Sequence, residues 1–323
     1  MEFPKTLVSA VRYFADEDVS NQFLAKLRWP NGAVCPREGC GTPNPYYVKT
    51  RRIWRCKGCK RQFSVKVGTI FEDSPIALSD WLVAMWMHSS SKKGVSSYHL
   101  ARALGVTQKT AWFMGHRIRL AMKTQLFAAP LSGEVEADET YVGGLAKFQH
   151  ARKRKHVGTG GSGKAAVMGL LERHGEVRAS VMPRVTRAAL HAQVRQHVSP
   201  GSTVYTDGLT HYGGLNPDYV HKVIDHSEAY VQGKIHTNGI ENFWSLFKRT
   251  VYGTFHSVEP VHLDRYLDDA TFRFNTRKLG DGGRFASVVS RVGGRRVTYQ
   301  RLIGNGDDRP VLFGKGAGSA LAT

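Results

Sequence analysis

The sequence predicts a mixed α/β protein, a sheet flanked by helices and preceded by two small modules. Three observations carry this. Four cysteines stand in two pairs between residues 35 and 59. Apolar residues recur at helical spacing from Leu78 to Lys123. After Gly133 the texture changes to short β-branched runs, glycine-rich turns and two later helical stretches. The expected divisions are a helical segment over 1–30, a cysteine module over 31–72, a helical region over 73–128, an α/β domain over 129–292 and an irregular tail over 293–323.

Composition narrows the class. The 323 residues carry 46 Lys+Arg against 26 Asp+Glu, a formal charge of +20, as a polyanion-binding protein requires. With 41% hydrophobic and 10% aromatic residues the chain can bury a core, which excludes a largely disordered protein. No run approaches the roughly 18–20 uncharged apolar residues of a membrane span. The start, Met1-Glu2-Phe3-Pro4-Lys5, lacks a signal pattern, so the expectation is a cytoplasmic protein without a membrane partner.

Residues 1–30 carry one short helical pattern (Phe14, Phe23, Leu24, Leu27, Trp29) ended by Pro30-Asn31-Gly32. Cys35 and Cys40 follow as C-x4-C, and Cys56 and Cys59 as C-x2-C. Each pair on a tight turn supplies two thiolates, which together suit tetrahedral Zn²⁺. Tyr46–Val48, Arg52–Arg55 and Gln62–Val65 read as three small strands of a zinc ribbon. Its Arg51, Arg52, Lys57, Lys60 and Arg61 either grip DNA or decorate a purely structural knuckle.

Ser79-Asp80 offers an N-cap to a helix through Trp86, and Ser96-Ser97 to a second helix ending at Leu104. Gly105 turns the chain into Gln108–Met114. This is the spacing of a helix-turn-helix, whose second helix is expected to present Gln108, Lys109, Thr110 and Arg117 to a DNA major groove. A plain three-helix packing module is the competing reading.

Glu134–Val142 alternates as a strand containing Asp138, and Thr203–Asp207 is a second strand ending in an acid. His236–Arg249 reads as a helix with Glu241 in its first turn. Two strand carboxylates and one helix carboxylate converging at one end of a sheet form an oxygen-only set suited to Mg²⁺ or Mn²⁺. Such ions serve phosphodiester chemistry. Lys248, seven residues after Glu241, shares its helix face and is placed to contact a DNA phosphate, with Arg249 extending that contact. Taken singly, the acids also fit a strand end, an Asp-Gly turn and a helix-dipole acid. Glu136 and Glu139 compete with Asp138, and alternation does not separate Glu136 from it.

These residues carry a resemblance to the ISXO-like family of insertion-sequence transposases. The matching runs are Arg52–Cys59 with Phe63–Val65, Gly68–Phe71, Glu136–Gly144, Tyr205–Gly208, and His236–Asn238 with Ile240, Glu241, Trp244 and Lys248, spanning roughly 15–290. The resemblance implies a DDE domain of ribonuclease-H type behind a zinc ribbon and helix-turn-helix. It implies Asp138, Asp207 and Glu241 as the metal-binding triad with Lys248 as accessory, and favours Asp138 over Glu136. It further implies double-stranded DNA partners (terminal inverted repeats and target) and a bacterial, nucleoid-associated setting. Because two DNA ends must be joined together, a homodimer on DNA is expected. The C-x4-C knuckle is longer than the more usual C-x2-C, and no motif matches beyond Arg291.

The basic run containing Arg152, Lys153 and Arg154, followed by Gly158–Lys164, lacks P-loop spacing and is expected to be a DNA-touching loop. His211, His221 and His226 read as surface residues, His236 as a flank of the catalytic helix that contacts DNA, and Trp244 as packing beneath the site. A sequence-specific DNA-binding regulator, native or descended from an inactive transposase, is the alternative function. A nuclease of the same core explains less, because it leaves the N-terminal modules without a role.

Overall fold

A computed structural model describes residues 3–123, 129–143, 164–207, 210–224 and 236–304. The chain forms two compact units, one built from residues 1–122 with 279–323 and the other from 123–278.

In the first unit the single N-terminal helical pattern becomes two helices, α1 (Leu7–Phe14) and α2 (Glu17–Arg28). Thr6 caps the first with a reciprocal Ser9 contact, and Asp16 breaks the run by accepting from Asp18 N and Val19 N. The three short strands β1 (Tyr46–Val48), β2 (Ile53–Arg55) and β3 (Gln62–Ser64) pair antiparallel, and Trp54 stacks on Phe63 across them. Helix α3 (Leu78–Ser90) starts at Leu78 without a side-chain cap of its own. The expected Ser79-Asp80 cap is replaced by Glu17 of α2, whose Oε1 accepts the Ser79 N–H at 2.9 Å. Helix α4 (Ser97–Leu104) is capped by Ser96 as expected. Gly105, at φ +67°, turns the chain into α5 (Gln108–Met122), and Thr107 caps α5 by accepting from Thr110 N at 3.2 Å.

The second unit is a five-stranded mixed sheet flanked by helices. Its elements are β4 (Glu134–Val142), β5 (Ala165–Glu172), β6 (Val177–Met182), α6 (Arg187–His197), β7 (Thr203–Asp207), β8 (Val220–Ile224), α7 (Asn238–Thr250) and α8 (Leu263–Asn275). Spatial order is β6-β5-β4-β7-β8, with β5 antiparallel to β4 and β6, and β4, β7 and β8 parallel. This is the mixed sheet flanked by helices that the sequence predicted, of the ribonuclease-H type that the resemblance implied. Alternation along β4 and β5 sends Val135, Ala137, Met168 and Leu170 to a core shared with α6. Val142, Val167 and Leu171 go to the opposite core, with Ile240, Phe243, Trp244 and Phe247 of α7. Both faces are covered, so polar side chains within the sheet require specific partners.

The segment after residue 278 departs from the expected boundary at 292. Helix α9 (Asp281–Val289) packs on α3 within the first unit, and Phe285, fully buried, joins Phe3, Phe14 and Phe23 in one aromatic cluster. Burying one such ring stabilises by about 1.5–3 kcal/mol, which is the physical reason the chain returns. Ile70 N donates to Val292 O at 3.1 Å, and Thr69 bridges Gly293, so the Gly68–Phe71 run is the seat of this returning segment. The expected irregular tail is ordered through α10 (Tyr299–Leu302), and residues 305–323 lie outside the described residues.

Candidate functional site

The four cysteine sulfurs lie within 4.8 Å of one another, with Cys35 Sγ 3.9 Å from Cys59 Sγ and Cys40 Sγ 3.6 Å from Cys56 Sγ. A tetrahedron with metal–sulfur bonds of about 2.3 Å has edges of about 3.8 Å, so the donor set fits zinc. The longer C-x4-C knuckle reaches this geometry because Cys40 N turns back onto Arg37 O at 3.2 Å. Among the described residues this is the one group of three or more potential ligands gathered closely enough to hold an ion.

Asp138, Asp207 and Glu241 come to the same end of the second unit's sheet, less tightly gathered than the cysteine sulfurs. Parallel pairing of β4 with β7 runs Glu134 to Thr203, Val135 to Val204 and Glu136 to Tyr205. Two residues further on, Asp138 and Asp207 come level on the same face. Opposite Asp138, β5 carries Gly169, and a Cβ there would stand 2.5 Å from Trp244 Cζ2 and 2.8 Å from Ile240 Cδ1. The missing side chain lets α7 lie directly on the sheet beside Asp138, with Glu241 in its first turn. Asp138, Thr140, Glu241, Trp244, Ser245, Lys248, Arg249, Tyr252 and Gly253 line one open cleft of about 720 Å³.

Electrostatics reflect this convergence. Burial pushes the Asp138 carboxyl up to about 7, and the negative charges of Asp207 and then Glu241 add to the effect. The indole of Trp244 lies close enough to favour the charged form, although its buried Nε1 makes no hydrogen bond of ordinary geometry. Glu241 Oε1 accepts from Thr237 Oγ1 at 2.9 Å.

The two competing glutamates have other partners. Glu136, 1% exposed, accepts from Ile240 N at 2.9 Å and from Arg173 Nε at 3.0 Å. Glu139 points to the opposite face, where the buried Tyr212 hydroxyl donates to it. Burial, and then Asp138 and Asp207, push its carboxyl up to about 7.

Of the residues expected to touch DNA, Arg117 is corrected. It is 4% exposed, donates to Glu72 O at 2.7 Å and lies over the Phe113 ring. Residues 114–119 are all buried because α5 enters the core after its first turn and a half, so no outward face exists at that depth. Lys109 is exposed with Nζ over Tyr299, while Gln108 and Thr110 are half-buried, Gln108 donating to Ser97 Oγ at 2.8 Å. Arg52 pairs with Asp18 at 2.6 Å, and Lys57 is exposed. Arg249 is exposed and Lys248 half-buried, both on the cleft. His236 is half-buried with Nδ1 3.4 Å from Glu136. Arg152, Lys153, Arg154 and His226 lie outside the described residues. Sequence reasoning missed Arg173, Tyr252 and Gly169. Arg173 sits in the β5–β6 turn, where a charged residue carries no signal, and the other two become informative once α7 is placed on β5.

Residues 130–275 match the model of the ISXO2-like transposase domain, and residues 15–62 that of the transposase zinc-ribbon domain. An uncharacterized protein in transposable element ISH50 of Halobacterium salinarum is 30% identical over 257 residues, covering 74% of this chain and 84% of that protein. An uncharacterized transposase-like protein of Haemophilus influenzae is 34% identical over 100 residues, covering 31% of this chain and 80% of that protein. The match over 15–62 makes the cysteine cluster a zinc ribbon, and the chain belongs to the ISXO2-like family of insertion-sequence transposases.

Proposed function

We propose that the protein cuts DNA at the ends of an insertion sequence and transfers the freed 3′ ends to target DNA, using a divalent-cation site formed by Asp138, Asp207 and Glu241. The observation that carries this is Asp138, lifted to about 7 beside two further carboxylates in a cleft that also presents Lys248 and Arg249. Such a concentration of negative charge on oxygen donors alone fits Mg²⁺ or Mn²⁺. When bound, these ions supply Lewis-acid activation of the attacking oxygen and stabilisation of the leaving one.

The chain's own residues do the rest. Lys248, two turns from Glu241 on the same helix face, takes a phosphate next to the reacting one, and Arg249 extends the grip along the strand. Water attacks first and frees a 3′ hydroxyl, and that hydroxyl then attacks target DNA. One phosphodiester bond is exchanged for another, so no external energy source or covalent protein–DNA link is required. The N-terminus of α5, with Gln108, Lys109 and Thr110, reads the element end, and Lys57 of the ribbon adds phosphate contact. Because two ends must be joined, a homodimer acts on DNA. The charge of +20 supports residence with the chromosome in the cytoplasm.

Purified protein incubated with a labelled element end, target plasmid and Mg²⁺ should yield nicked and joined products. Binding without either product under Mg²⁺ and Mn²⁺ would instead favour a DNA-binding regulator.

A further inference from the structure

Glu136 shares a strand face with Asp138, two residues away, yet both of its oxygens are taken by the protein. Oε2 accepts the Ile240 N–H at 2.9 Å, and Oε1 accepts Arg173 Nε at 3.0 Å. Arg173 also donates from Nη2 to His236 O at 2.8 Å, and its guanidinium lies 4.0 Å from the centre of the Tyr205 ring. The Ile240 amide is one of the four at the start of α7 that have no partner within the helix. Gly239 closes the contact: a Cβ there would stand 2.8 Å from Glu136 Oε2 and 2.6 Å from Leu171 Cδ2. Glu241 is the next residue after Ile240.

We propose that Glu136 and Arg173 are positioning residues that clamp the first turn of α7 to the sheet and so fix the Glu241 carboxylate relative to Asp138. This rests on the reading of Asp138, Asp207 and Glu241 as a cation site. The strand that carries Asp138 thereby also holds the helix that carries Glu241, and the two carboxylates keep their spacing without a cation between them. A negative charge at a helix start suits the helix dipole. Arg173, which also lies 3.6 Å from Glu134, offsets the charge of Glu136 and so limits what the clamp adds to the charge of the three acids. Glu136 is a buried support for the site and not a cation ligand.

The test uses the full-length protein without DNA. Glu136→Gln keeps the size of the side chain but leaves one carbonyl oxygen where two donors need acceptors. Mn²⁺ binding, read from the electron paramagnetic resonance signal of the free ion, is expected to weaken about tenfold or more. Amide hydrogen exchange over residues 238–243 is expected to accelerate, while thermal unfolding stays cooperative. Should Glu136→Gln fail to fold, Gly239→Ala leaves both charges in place, pushes the helix off the clamp and should give the same pair of changes. Unchanged Mn²⁺ affinity in a folded variant overturns the proposal. Weakened affinity with unaltered exchange also overturns it, because Glu136 would then be acting as a ligand. Asp207→Asn separates the two levels: if it leaves Mn²⁺ binding intact, the cation-site reading itself fails. If it abolishes binding while Glu136→Gln does not alter it, the clamp alone fails.

Discussion

Asp138 on β4 and Asp207 on β7 come level on the same sheet face, two residues beyond Glu136 and Tyr205, the last paired positions of their parallel strands. The like charges of this pair, with Glu241 added from α7, raise Asp138 beyond what burial alone does. The arrangement depends on the close seat of α7 on the sheet.

Gly169→Ala tests that seat. The new methyl group would press on Trp244 at 2.5 Å and on Ile240 at 2.8 Å, lifting the helix away from Asp138. A displacement near 1 Å costs catalysis up to about a hundredfold. DNA cleavage is expected to fall at least about tenfold, with a stability loss of about 1–3 kcal/mol. Full cleavage by this variant would show that the helix need not lie so close.

Lys109 and Arg117, both on α5, are expected to separate cleanly. Lys109→Ala should weaken binding to the element end and lower the salt dependence of binding by about one phosphate's worth. Arg117→Ala removes a buried cation that satisfies Glu72 O and Val297 O, so it should cost about 2 kcal/mol or more of stability. Titrations of binding against salt, together with thermal melts, check both. A salt slope lowered by Arg117→Ala with an unchanged melting temperature would return that residue to the DNA face.

The ribbon is expected to hold about one zinc ion per chain, measured by elemental analysis. Cys56→Ser should release the metal and loosen β2 and β3, because Cys56 N is bonded to Arg61 O at 2.9 Å across that knuckle. Retained zinc in this variant would contradict the four-sulfur site.

Asp268 offers a pH test away from the cleft. Burial pushes its carboxyl up to about 6, even though Arg265, 3.3 Å away, and Lys123 pull it down. A folded-state value above the unfolded value of about 4 penalises the charged form, so stability present at low pH is lost as pH rises through about 6. Asp268→Asn should therefore stabilise the second unit by about 1–2 kcal/mol near pH 8 and little near pH 4, as urea unfolding would measure. A variant no more stable than the parent near pH 8 would reverse the sign.

Much of this was legible in the chain. Strand β4 was readable to the residue because its run stopped at Gly143-Gly144, and β7 because its run ended at Asp207 before Gly208, while Gly105 marked the turn between α4 and α5. What stayed hidden depended on contacts distant in sequence. Arg117 looked outward because local pattern cannot reveal that neighbouring elements enclose α5 after its start. Phe285 gave no sign that it would join Phe14 and Phe23, so the boundary at 292 was misplaced. Glu136 could not be separated from Asp138 by alternation, since both lie on one face. Their roles diverge through Arg173, which sits in a hairpin turn 37 residues away.

The most direct measurement exchanges the ligand chemistry at Asp207. Asp207→Cys replaces a hard oxygen donor with a soft thiolate, which Mg²⁺ binds poorly and Mn²⁺ tolerates better. Cleavage of a labelled element end by this variant should be lost in Mg²⁺ and return in Mn²⁺, with end binding unchanged in both. Cleavage at the parent rate in Mg²⁺ would contradict a role for Asp207 in holding the cation.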